Sequence, residues 1–88
     1  MTHIGKPDLA EAVIALVADT FDRAADSVTT ETQPGDIAGW DSLGHSVLLT
    51  RITRRFKVTM TEDLAMPVGT VGELIDHVRN AAGRVNGA

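Results

Sequence analysis

The chain contains no cysteine and no tyrosine, and its aromatic residues are two phenylalanines and one tryptophan in 88 residues. The first absence excludes disulfides and thiolate metal sites. The second means that the core has to be assembled from Val, Leu, Ile, Met and Ala, which suits packed helices better than a β-sandwich. No run approaches the ~20 apolar residues of a membrane span, and the stretch from Met1 to Pro7 has no apolar block of signal-peptide length. With 12 acidic and 8 basic residues the formal charge is −4, a poor match to nucleic acid as a partner. A cytoplasmic protein of one domain is expected over 1–88, with its core at about 7–82 and a frayed tail at 84–88.

Hydrophobic periodicity marks three helices. Leu9, Val13, Leu16, Val17 and Phe21 follow one another in steps of 4, 3, 1 and 4, a single helical stripe. That helix is expected to start near Pro7, with Asp8 and Glu11 at its positive end, and to stop near Asp22. A second helix is expected from about Ser42 to Lys57, with Leu48 or Leu49, Ile52 and Phe56 facing the core and Leu43 and Val47 to one side. The third has its stripe at Val71, Leu74, Ile75 and Val78. It opens on Thr70-Val71-Gly72-Glu73, a capping box, and Gly83 is expected to stop it. Between the last two, 62–66 has room for one helical turn closed by Pro67. Residues 23–40 are rich in Thr, Asp and Gly and carry the turn signal Pro34-Gly35-Asp36; they read as a long loop anchored by Val28 and Ile37. The alternation at 57–61 is a lone strand pattern with no partner. The fold class is all-α: a four-helix bundle of three main helices and one short one, with a long first loop.

The stretch with most chemical content is Gly39-Trp40-Asp41-Ser42-Leu43-Gly44-His45. Asp41 and Ser42 stand where the loop meets the second helix, and either suits the N-cap. The unpaired N–H groups of a first helical turn favour an anion, so a phosphate ester on Ser42 would sit in a favourable field. Trp40 reads as a cover for the edge of the core. His45 falls one turn after Ser42, but no orienting acid or oxyanion hole accompanies the pair, and His45 reads as solvent-facing. His3, His45 and His77 lack a metal-binding spacing, and Asp19, Asp22 and Asp26 do not fit a calcium loop; no metal site is expected.

Asp41-Ser42-Leu43 at the start of the second helix, together with the helix order, the long loop and the stripe through Phe56, resembles the acyl and peptidyl carrier proteins over roughly 7–82. The resemblance implies an acyl-carrier-like bundle. It implies a 4′-phosphopantetheine arm, transferred from coenzyme A onto Ser42, that carries acyl or aminoacyl cargo as a thioester. Asp41 then helps to dock the phosphopantetheinyl transferase, and Leu43 and Val47 touch partner enzymes: a loading enzyme and downstream biosynthetic enzymes. Such a carrier is expected to be a monomer without catalytic activity of its own. Carriers of primary fatty-acid synthesis resemble one another in an acidic second helix, and this chain departs from them. Asp41 against Arg51, Arg54, Arg55 and Lys57 leaves 41–57 at +3, and hence the remainder at −7 within the total of −4. Arg54 and Arg55 are therefore candidate contacts to an acidic partner surface. Gly44, His45 and Trp40 make the chain similar to discrete carriers of polyketide, nonribosomal peptide or related routes. The alternatives are a fatty-acid-synthesis carrier and a helical docking domain without an arm.

Overall fold

A computed structural model describes residues 8–87, with side chains through residue 82. Four helices follow in order: α1 (Leu9–Thr20), α2 (Ser42–Phe56), α3 (Glu62–Ala65) and α4 (Val71–Gly87). Single 3-10 turns at Ala25–Ser27 and Pro34–Asp36 punctuate the long first connection. α1 packs against α2 and α4, and the short α3 bridges α2 and α4.

The stripes read from the sequence form the core. Val13 and Val17 of α1, Leu48 and Ile52 of α2, Leu64 of α3, and Val71, Leu74 and Val78 of α4 are fully buried. Each such side chain contributes about 1.5–3 kcal/mol through burial. Val28 and Ile37 pin the loop to this core as expected. Phe56 differs: at the last residue of α2, it packs against the core only in part. The guanidinium of Arg55 lies 5.2 Å from the centre of that ring.

Helix ends shift from the expected places for local reasons. Asp8 is the N-cap of α1, accepting from the Glu11 N–H at 2.8 Å, so the helix begins after it; Pro7 lies outside the described residues. α1 stops at Thr20 rather than near Asp22, because Asp22 turns left-handed (φ 58°) and the Arg23 N–H returns to the Ala18 carbonyl at 2.8 Å, a Schellman-type ending. Lys57 ends α2 in the same left-handed region (φ 56°), and so lies just past the helix. Gly83 does not stop α4, whose backbone stays helical to Gly87, beyond the point where fraying was expected. A glycine inside a helix costs only about 1 kcal/mol against alanine, which a helix can carry.

The long loop also completes α4. The N–H groups of Val71 and Gly72 donate to the carbonyls of Thr32 and Thr30, both at 2.8 Å. Thr70 Oγ1 accepts from the Glu73 N–H at 3.2 Å, while Glu73 reaches back to the Gly69 N–H at 3.0 Å. Those donors would otherwise be orphans of the helix start.

Candidate functional site

The N-terminal end of α2 is built by a close approach of the loop. Gly39 has φ +93°, a left-handed conformation that glycine adopts without strain. It lays its carbonyl so near α2 that a Cβ on Gly44 would stand 2.0 Å from the Gly39 oxygen and 2.9 Å from the Phe21 ring. Trp40 follows, buried as expected and stacked on Phe21 with ring centres 5.4 Å apart. Asp41 then caps the helix, its Oδ1 accepting from the Gly44 N–H at 2.9 Å, while its carbonyl accepts from the His45 N–H at 2.8 Å.

Ser42 is thus the first helical residue, and it is exposed. Among the described residues its hydroxyl and the N–H groups of Ser42 and Leu43 have no partner. A free hydroxyl beside two free backbone donors at a helix start suits a phosphate ester. Leu43 and Val47 are exposed next to it, at 75% and 47% of their full surface. A groove of about 680 Å³ beside Ser42 is lined by Trp40, Asp41, His45, Ser46, Leu49 and Thr50 together with Pro34, Met60, Ala65 and Pro67. Its volume suits a small organic group.

The remaining positions divide. Arg54 and Arg55 are exposed near the far end of α2, three to four turns from Ser42. Arg51 is committed elsewhere. Its guanidinium binds Asp19 Oδ2 at 2.6 Å and Thr20 Oγ1 at 2.9 Å on α1, so the basic stretch presents fewer free charges than its sequence suggests. His45 is not solvent-facing. It is half-buried, its Nδ1 lies 3.0 Å from the Trp40 indole nitrogen, and its Nε2 lies 3.3 Å from the Leu64 carbonyl. Nothing in the sequence announced that bridge, because Leu64 is 19 residues away. Met60, which lines the groove, and Met66 are both exposed and likewise had no signal of their own.

This fold and this helix start define the class of carrier proteins that bear a phosphopantetheine arm. The family described as "phosphopantetheine attachment site" matches residues 11–78, and the chain belongs to it. It is 31% identical over 71 residues to the acyl carrier proteins of two strains of Porphyromonas gingivalis, covering 81% of this chain and 91% of each relative. No solved structure matches. Members of the family are carriers whose prosthetic group is 4′-phosphopantetheine, and they work with phosphopantetheinyl transferases and biosynthetic enzymes. The donors at the start of α2 and the open groove fit such a group. Among the described residues no helix is long and apolar enough to cross a membrane.

Proposed function

We propose that Ser42 carries the 4′-phosphopantetheine arm and that the chain presents acyl or aminoacyl cargo, held as a thioester, to enzymes of a specialised pathway of the polyketide or nonribosomal-peptide kind. The observation that carries the reading is the exposed Ser42 hydroxyl beside the N–H groups of Ser42 and Leu43, all without a partner among the described residues. When bound, the arm supplies a thiol that forms the thioester. The protein's own part is to hold the phosphate end at the helix terminus and to leave the carrier surface accessible. Asp41 serves twice, as cap of α2 and as a docking point for the transferase. Leu43 and Val47 give partners an apolar contact beside the arm. Arg54 and Arg55, exposed and not paired with acids among the described residues, add positive charge that favours an acidic partner surface. The chain works as a cytoplasmic monomer and performs no bond chemistry on its cargo.

A fatty-acid-synthesis role is the second reading, favoured by the likeness to proteins named simply acyl carrier proteins. Against it stands the basic end of α2. Incubation with coenzyme A, magnesium and a broad-specificity transferase tests the site, with intact mass as the readout. One arm is expected on the wild type and none on Ser42→Ala. An arm on the Ala variant would move the site, and a wild type left unmodified by several transferases would overturn the carrier reading. Transfer assays with cognate enzymes of the two pathway kinds then separate the two roles.

A further inference from the structure

Three rings and one carbonyl form a continuous connection across the bundle near Ser42. Phe21 stacks on Trp40, and the Trp40 and His45 rings lie side by side, with centres 6.2 Å apart and planes 13° from parallel. The indole N–H of Trp40 points to His45 Nδ1 at 3.0 Å. An indole nitrogen only donates, so Nδ1 accepts, and the proton of the neutral imidazole is on Nε2. That N–H is directed at the Leu64 carbonyl, 3.3 Å away. Leu64 is fully buried and belongs to α3. The imidazole is therefore held at both nitrogens, and it ties α3 to α2 one helical turn beyond Ser42.

We propose that His45 is the specificity-determining residue for the cargo, closing the way between α2 and α3 into the core. The inference rests on the carrier reading of Ser42. An acyl chain entering the core at this level has to part His45 from Leu64. That leaves an N–H and a carbonyl unpaired beside hydrocarbon, which is unfavourable. Cargo extending from Ser42 instead stays in the groove whose wall His45 itself helps to form, along Ser46, Leu49, Thr50 and Met60. This path offers hydroxyls as well as apolar contacts. It suits short or oxygen-bearing acyl groups, and because the groove is open on one side a long straight chain in it stays in contact with water.

The experiment loads wild type, His45→Ala and His45→Gln in one step, by transfer of acetyl- or octanoyl-phosphopantetheine from the corresponding coenzyme A thioester. Intact mass confirms loading before any rate is measured, so failure of the arm to attach is seen separately and counts against the carrier reading itself. Cleavage of the thioester by hydroxylamine then reports shelter. In the wild type the octanoyl and acetyl rates are expected to agree within about twofold, whereas in His45→Ala burial of the longer chain slows octanoyl cleavage by about fivefold or more. His45→Gln keeps one acceptor and one donor in its amide and is expected to stay near wild type. Imidazole nitrogen resonances of the armless protein are expected to show the Nε2–H form. Octanoyl loading of the wild type should shift Leu49 and Met60 signals and leave those of Ile52 and Leu74 in place. Octanoyl protection in the wild type, or octanoyl-induced shifts of Ile52 or Leu74, overturns the proposal even if His45→Ala does not fold. So does a folded His45→Ala with no gain in protection.

Discussion

The two ends of α2 are made differently. At the N-terminal end the loop is pressed onto the helix: Gly39 against Gly44, Trp40 between Phe21 and His45, and Asp41 closing the first turn. Of the first six residues of α2, Ser42, Leu43, Ser46 and Val47 are exposed. At the C-terminal end Arg54, Arg55 and Lys57 are exposed, and Phe56 is covered in part. A residue that receives a group from one enzyme and offers it to others benefits from a fixed base with an open face. Charges that steer partners need reach rather than fixation, since rim charges act mainly on association rates. Under the proposed function, the rigid end would serve attachment and the open end approach.

The sharpest way to break this contrast is Gly44→Ala. The added methyl meets a backbone carbonyl rather than a flexible side chain, so loop and helix must separate. Overpacking of this kind costs about 1–3 kcal/mol and sometimes more, and we expect a loss of about 3 kcal/mol in denaturant unfolding. A loss below about 0.5 kcal/mol, the range of ordinary surface changes, would mean that the loop is not held tightly there. Phe56→Ala tests the opposite end. A fully buried phenylalanine costs about 3–5 kcal/mol on truncation; Phe56, only partly buried, is expected to cost less, about 1–2 kcal/mol. A value in the full-core range would show that the C-terminal end is as closely packed as the N-terminal one.

Lys57→Gly sharpens the comparison in the favourable direction. Lys57 occupies the left-handed region, where a side chain costs roughly 1 kcal/mol and glycine does not. A gain of about 0.5–1 kcal/mol in the same unfolding measurement is expected after the greater flexibility of glycine in the unfolded chain is set against it. A net loss would mean that Lys57 makes contacts that outweigh its backbone conformation. The smallest effect on stability is expected from the double change Arg54→Glu and Arg55→Glu, within about 0.5 kcal/mol. Its effect lies in function. Transfer of cargo from the pre-loaded, folded variant to its cognate enzyme should slow at low ionic strength and recover as salt rises, because the Debye length shrinks to about 8 Å near physiological salt. Wild-type transfer rates at low salt would remove the arginines from the docking surface.

Arg51 shows why a run of charges in sequence does not translate directly into a surface. It lies in the same basic stretch, yet it reaches across to Asp19 and Thr20 of α1. Both charged groups are well exposed, so the pair contributes about 1 kcal/mol or less. Its consequence is mainly geometric, taking one cation out of the set available to a partner.

What the sequence by itself determined is whatever depends on neighbours within a turn or two. The stripes Val13–Val17, Leu48–Ile52 and Val71–Val78 repeat at helical spacing and became the core. Asp41 lies three residues before the N–H it caps, and Ser42 is exposed because it follows that cap. The tertiary structure decided what depends on residues brought together from far apart. Gly44 is required because the Gly39 carbonyl arrives beside it. Arg51 is tied because α1 lies within its reach. His45 faces inward because Trp40 supplies a donor on one side and Leu64 an acceptor on the other. Periodicity fixes which face of a helix is apolar; which distant backbone atom comes to rest against that face is set only when the helices pack.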